Sequence, residues 1–144
     1  MEHIAQIIKE IQRYGRVCRE RQLAQLGLTL RHGLYFREIH SAPGISQEQL
    51  AQKVLVNKSN VARQVAAMEE EGYISRQTCG KDKRVLRLYL TEKAQQLMPA
   101  VEAINHAWEE RLVEGFTESE QQILRILLLR LRTAAEAAAK EGET

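Results

Sequence analysis

The residues best suited to a chemical role lie in a short basic turn with the sequence Cys79-Gly80-Lys81-Asp82-Lys83-Arg84. Asp82 is the only aspartate in this chain of 144 residues. The segments on either side, Tyr73 to Thr78 and Val85 to Leu90, read as two short strands; Ile74 on the first and Leu86, Leu88 and Leu90 on the second give one apolar face. A hairpin with cations at its tip can reach the minor groove of DNA, where the negative potential attracts arginine and lysine.

The hairpin region between Gly72 and Thr91 carries one acid and several basic residues. The basic residues are Arg76, Lys81, Lys83, Arg84 and Arg87. We predict that Lys81, Lys83 and Arg84 contact DNA, with Lys83 or Arg84 entering the groove. Asp82 is unsuited to binding phosphate, so we expect it to pair with Arg84 or Arg76. Asp82 and Arg76 are therefore predicted to order the tip, and a solvated basic turn is the alternative.

Two short helices precede the hairpin. The segment Ser46-Gln47-Glu48-Gln49 is a capping box that predicts a helix from this point to about Val54. Asn57 is the next N-cap candidate, and the helix that it begins runs to Glu71 and ends at Gly72. The intervening Leu55-Val56 makes the pair a candidate helix-turn-helix.

The helix from Asn57 has one apolar stripe, formed by Val61, Val65 and Met68 at helical spacing. Its opposite face is short and polar, which suits entry into a major groove by the N-terminal end. Arg63 could bind guanine and Asn60 could bind adenine, each through two hydrogen bonds. A solvated helix face is the alternative interpretation. The DNA-binding residues predicted on this helix are Asn57, Lys58, Ser59, Asn60, Arg63 and Gln64.

Further helices are predicted on both sides of this region. Residues 2 to 24 and 29 to 41 precede it; a helix from Thr91 to about Gly115 and a last helix capped by Thr117 follow it. The last helix is apolar on nearly every side, and a small monomer could not bury all of it. We therefore expect it to pair with the first helix of a second copy; a helix that lies across its own domain is the alternative. Its apolar residues are Ile123, Leu124, Ile126, Leu127, Leu128, Leu129 and Leu131.

Composition narrows the classes of protein. A hydrophobic content of 44% and a charged content of 28% are typical of a globular domain. No apolar run could span a bilayer and the N-terminus lacks the layout of a signal peptide, so we expect a cytoplasmic protein. The chain shows no catalytic constellation, no metal-ligand spacing and no phosphate-binding glycine loop. We expect neither an enzyme nor a bound metal or cofactor.

The order of these elements, with Asp-Lys-Arg at the hairpin tip and Leu90-Thr91 after it, resembles the MarR/SlyA family of bacterial transcription regulators. The resemblance implies a mainly α fold with a small β-hairpin wing: a winged helix-turn-helix homodimer. It further implies a regulator, usually a repressor, of pseudo-palindromic DNA operators. The wing arginine corresponds to Arg84. We predict a DNA-binding lobe at 29–91 and a helical dimerisation region at 1–28 and 92–144.

The family commonly binds small aromatic or phenolic anions between the dimer helices and the DNA-binding lobe. The resemblance thus implies release from the operator by such an effector. The candidate effector residues in the first two helices are Arg13, Arg16, His32, Tyr35 and His40.

Two other functions stay open on the sequence alone. Some family members sense oxidants through a cysteine in the first helix, so Cys18 could make this chain a thiol redox regulator. An inert, packed Cys18 fits the flanking residues better. The chain could also be an interaction module whose basic hairpin binds an acidic protein instead of DNA.

Overall fold

The computed structural model describes residues 1–142, and within them the chain forms six α-helices and one two-stranded antiparallel sheet. This confirms the predicted fold class, mainly α with a β-hairpin. The last two residues of the predicted dimerisation region lie outside the described part. The elements, in chain order, are α1 (Ile4–Gln25), α2 (Leu30–Ser41), α3 (Gln47–Val54), α4 (Lys58–Glu70), β1 (Ile74–Thr78), β2 (Leu86–Leu90), α5 (Glu92–Leu112) and α6 (Glu118–Glu141).

The chain divides into two compact units, Met1–Trp108 and Glu109–Thr144. The first unit holds the hydrophobic core, where α2, α3, α4 and the hairpin meet. Burial of apolar side chains is the main force that stabilises such a core. Its largest fully buried side chains are Tyr35, Phe36, Ile39, Leu50, Val61, Val65, Ile74, Leu88 and Val101.

Side-chain caps begin the helices at the predicted positions. The hydroxyl of Ser46 accepts from the backbone N–H of Gln49 at 3.0 Å, and the amide oxygen of Asn57 accepts from the next turn at 2.8 Å. Thr117 forms the second predicted capping box at the start of α6. Each such cap contributes about 1 kcal/mol, because it satisfies a backbone donor that the helix leaves without a partner.

The hairpin pairs Ile74 with Leu90 at its base and Thr78 with Leu86 near its tip. Immediately after β2, the hydroxyl of Thr91 donates to the carbonyl of Gly72 and accepts from a backbone N–H of the next helix. That helix, α5, ends at Leu112, three residues before the predicted end. Thr91 begins α5 as the sequence predicts, and its two hydrogen bonds also tie the hairpin to this helix.

A close contact joins α1 to α5 at Gly15, which is buried in the middle of α1. A Cβ atom at Gly15 would lie 2.9 Å from two ring carbons of Trp108. Gly33, buried in α2, has more room, since its Cβ would meet Leu23 at 3.4 Å. These two glycines are therefore matched sites that differ in the space around them.

We expect Gly15→Ala to lower the free energy of unfolding by about 1 kcal/mol. Overpacking costs about 1–3 kcal/mol, whereas alanine gains only about 0.5–1 kcal/mol over glycine in a helix. Gly33→Ala is expected to be neutral or stabilising. Urea unfolding of both variants measures this, and equal stabilities would contradict the role given to Trp108.

The second unit consists of the end of α5 and α6. None of the residues of α6 is buried, and its large aliphatic residues other than the half-buried Leu124 are 40–58% exposed. In the first unit, α1 likewise exposes an apolar stripe. The stripe contains Ile4, Ile7, Ile11, Tyr14 and Val17. Within residues 1–142, no helix has the length and apolar character needed to cross a membrane.

Candidate nucleic-acid interface

The predicted helix-turn-helix is formed by α3 and α4, which pack against each other in the core of the first unit. Val61, Val65 and Met68 are buried, as the helical spacing predicts. Ser59, Arg63 and Ala67 are exposed, while Asn60 and Ala66 are half-buried. The buried stripe therefore holds α4 so that the polar face of its N-terminal half points outward.

The two predicted base-reading side chains are joined to each other. The Nη2 atom of Arg63 donates a hydrogen bond to Oδ1 of Asn60, one turn earlier on the same face of α4. The backbone N–H of Asn60 is in turn bound by the Asn57 cap. Arg63 is thereby held by a short chain of hydrogen bonds that begins at the N-terminus of the helix.

Lys58 is exposed and lies at the first position of α4, but it already has an anionic partner. Its Nζ atom lies 2.7 Å from Oε1 of Glu48, in the first turn of α3. The hydrogen bond and charge of Lys58 lower the pKa of Glu48 below its usual range. A phosphate that binds Lys58 would thus replace Glu48.

Gln64 differs from the prediction. Its side-chain oxygen accepts a hydrogen bond from the hydroxyl of Tyr35, so Gln64 faces α2 and not the exposed face of α4. At 100° per residue, position 64 lies beside the buried stripe of Val61 and Met68, which accounts for its direction. The structure gives no support to Gln64 as a DNA contact.

The tip of the hairpin is ordered by Asp82. Its Oδ1 atom accepts from the backbone N–H of Arg84 at 3.0 Å and from the Nε of the same residue at 3.1 Å. Both hydrogen bonds lower the pKa of Asp82, and the one from the Arg84 side chain has the larger effect. The Arg84 side chain remains 91% exposed. Arg84 and Arg76 were the two predicted partners of Asp82, and in the structure Asp82 pairs with Arg84.

Arg76 does not order the tip. It pairs with Glu69 at 3.0 Å, and so joins β1 to the end of α4. Its strand position lies opposite Leu88, at the middle of the hairpin and away from the tip, which explains the different partner. Arg87 lies opposite Gln77, and its Nη1 donates to the carbonyl of Gly44 at 3.0 Å. Lys81, Lys83 and Arg84 are the exposed cations of the tip.

The two cysteines lie in different surroundings. Cys79 is half-buried at the end of β1, and hydrogen bonds from the backbone N–H of Lys81 and from Arg87 lower the pKa of its thiol. Cys18 is exposed, contrary to the expected packed thiol. At helical spacing it falls between Ile7 and Ile11 on the exposed apolar stripe of α1. Its exposure thus reflects a helix face that is uncovered in a single chain.

A cavity of about 810 Å³ lies in the first unit beside α1 and α2. Two predicted effector residues, Arg16 and Tyr35, line it. The sequence interpretation missed three further arginines in its lining: Arg19, Arg31 and Arg37. Helical spacing could have found Arg31, because it precedes Tyr35 by one turn.

The other predicted effector residues lie elsewhere. Arg13 is exposed, with its guanidinium 5.3 Å from the ring centre of Tyr14. His40 is on the surface, 3.6 Å from Glu102. Neither side chain lines the cavity. Unlike these two exposed residues, His32 is buried.

His32 is buried and connects α2 to the end of α4. Its Nδ1 atom accepts from the backbone N–H of Thr29 at 2.9 Å, so the ring forms half of a capping box. Its Nε2 atom lies 3.2 Å from Glu71, whose carboxylate can only accept. His32 is therefore a structural link between the two helices, and it does not line the cavity. Within residues 1–142, no three His, Cys, Asp or Glu side chains cluster so as to hold a metal ion.

The model of the MarR family matches residues 28–86. A crystal structure of MarR is 30% identical, covers 94% of this chain and 99% of its own, and has a TM-score of 0.79. The transcriptional regulator SlyA is 28% identical, with coverages of 95% and 96% and a TM-score of 0.89. A protein from Listeria monocytogenes in complex with a 26mer DNA is 26% identical, with coverages of 93% and 89% and a TM-score of 0.86.

Proposed function

Because this chain belongs to the MarR family of transcription regulators, we propose that it binds double-stranded operator DNA as a homodimer and acts there as a repressor. The observation that carries the proposal is the pairing of two exposed polar features within one unit. These are the N-terminal half of α4, with Arg63 held by Asn60, and the wing tip, with Arg84 held by Asp82. The similar Listeria protein in complex with DNA supports the same activity.

The homodimer is supported by the apolar residues that a single chain leaves uncovered. The aliphatic residues of α6 described above are exposed, and a second apolar stripe is exposed on α1. Exposed apolar patches of such size mark association surfaces. We propose that residues 1–28 and 92–144 form the dimerisation region and that residues 29–91 bind DNA. Two copies then present two wings and two recognition helices to a pseudo-palindromic site.

Release by a small aromatic or phenolic anion is the second part of the proposal. Arginines suit a carboxylate or phenolate, and Arg16, Arg31 and Arg37 line the cavity beside α2. Burial raises the pKa of Tyr35, and its hydroxyl donates to Gln64 of α4. A ligand that competes for Tyr35 would act directly on the recognition helix. Such an effector weakens DNA binding by stabilising another arrangement of α4.

The proposed activity is DNA binding without catalysis, and we propose that the protein acts in the cytoplasm. Selection of bound duplexes from random DNA tests it. We expect enrichment of an inverted repeat whose half-sites are about one helical turn apart. A footprint of the purified protein on such a site would separate DNA binding from binding of an acidic protein. Absence of enrichment over the random pool would overturn the proposal.

Arg63→Ala is expected to weaken binding to the selected site by roughly 5- to 150-fold, because a two-bonded arginine–guanine contact contributes about 1–3 kcal/mol. It should also relax the base preference at one position of each half-site. Titration of the variant against the selected site and its single-base variants measures both effects. Arg21→Ala, which removes an exposed arginine from α1, is the control. Equal weakening on specific and random DNA would instead make Arg63 a phosphate contact.

A further inference from the structure

Leu55, in the turn between α3 and α4, has a backbone conformation that leucine rarely adopts. Its φ is 55° and its ψ is 41°, in the left-handed helical region. Among residues 1–142 it is the one residue other than glycine with a positive φ. The left-handed conformation brings the Cβ atom too close to the backbone, so glycine or asparagine would adopt it with less strain.

Packing does not account for a leucine at this position. The Leu55 side chain is 91% exposed, whereas its neighbours Val54 and Val56 are packed against the hydrophobic core. The two valines therefore anchor the turn, and the leucine between them extends into solvent. An apolar side chain held outward in a strained conformation indicates a role outside the fold.

The position of Leu55 points to its partner. It lies two residues before Asn57, the cap of α4, and so borders the N-terminal half of the helix that we propose reads DNA. The neighbouring Lys53 and Lys58 are exposed. Cations beside an apolar side chain match the surface of duplex DNA, which presents phosphates next to deoxyribose rings and thymine methyl groups.

We propose that Leu55 makes an apolar contact with the operator, to a thymine methyl group or a deoxyribose ring at the edge of the major groove, and that this contact contributes to operator affinity. The inference rests on the proposed DNA-binding function. In this arrangement the strained turn directs the side chain toward DNA, while the polar residues of α4 read the base edges.

Three variants test the contact. Leu55→Asn and Leu55→Gly fit the left-handed conformation but remove the apolar group, and Leu55→Met keeps an apolar group in the same conformation. We expect Asn and Gly to weaken operator binding about fivefold, equivalent to the loss of about 1 kcal/mol, with an unchanged or raised Tm. Met should bind within about twofold of the natural protein.

Replacement of each operator thymine by uracil, which lacks only the methyl group, distinguishes a contact with a thymine methyl group from a contact with a deoxyribose ring. Loss of affinity at one position in the natural protein, absent in Leu55→Asn, assigns a thymine methyl contact. Insensitivity at every thymine, combined with the weakening in Leu55→Asn, assigns the sugar.

Equal operator affinity of Leu55→Asn, Leu55→Gly and the natural protein would overturn the inference and leave the proposed function standing. Failure of the natural protein to bind any selected DNA would overturn both. The two failures are therefore distinct results of the same titration.

Discussion

Leu127→Glu in α6 is expected to convert the protein into a monomer that has lost its operator affinity. Leu127 and its neighbour Ile126 are about half exposed in the single chain, in the aliphatic block that we propose as the dimer interface. The variant places a carboxylate in that interface twice, once from each copy. Burial of an unpaired charge is unfavourable enough to prevent association.

The loss of DNA binding follows because the dimer contacts two half-sites, whereas a monomer contacts only one. A dimer that engages both half-sites binds about 10²–10⁴-fold more tightly than one half-site alone, because the second contact is intramolecular. The expected result is a matching fall in operator affinity, measured by gel shift. Sedimentation velocity measures the change in oligomeric state in the same samples.

Ala138→Glu is the matched control, since it adds the same charge to the same helix outside the aliphatic block. Circular dichroism checks that α6 remains helical in both variants. A Leu127→Glu protein that sediments as a dimer and binds as before would show that α6 does not form the interface.

Cys18 offers an independent measure of this interface. It lies in line with the exposed apolar residues of α1, so a dimer through α1 covers it and a monomer exposes it. In a Cys79→Ser background, a thiol reagent should modify Cys18 faster in Leu127→Glu than in the natural dimer. Equal rates would place Cys18 outside the interface.

The sequence was sufficient to predict the elements of the fold because their signals are local. Each cap at Ser46, Asn57 and Thr117 lies within three residues of the backbone group that it binds. The buried stripe of Val61 and Val65 follows from helical periodicity alone. Such features need no knowledge of the rest of the chain, and all of them are confirmed.

The partners of polar side chains could not be predicted in the same way. Gln64 meets Tyr35 across 29 positions of sequence, and His32 meets Glu71 across 39. These choices depend on how α2 lies against α4, which only the folded core determines. The pairing of Asp82 with Arg84 was accessible because the two residues are only two positions apart in the turn. The separation of contacting residues along the chain thus set the limit of the sequence interpretation.

The wing provides the second large effect. Arg84→Ala should lower operator affinity by at least about tenfold while the fold and the dimer remain intact, since its side chain is 91% exposed. A minor-groove arginine gains from both the negative potential and the loss of counterions, so the affinity should also depend less steeply on salt. Fluorescence anisotropy at several salt concentrations measures both quantities. Lys140→Ala, which removes one exposed positive charge from α6, is the control.

Asp82→Ala distinguishes two effects of Asp82 at the wing tip: its hydrogen bonds hold Arg84 in place, and its negative charge repels DNA. By Coulomb attraction alone, removal of a carboxylate beside DNA would raise the affinity. In the structure, however, Asp82 holds both the backbone N–H and the side chain of Arg84, so the variant must order that arginine during binding. We therefore expect Asp82→Ala to bind the operator more weakly than the natural protein. It should change nothing further when combined with Arg84→Ala. A higher affinity in Asp82→Ala would show that Asp82 acts only through its charge, and unchanged binding in Arg84→Ala would remove the wing from the interface.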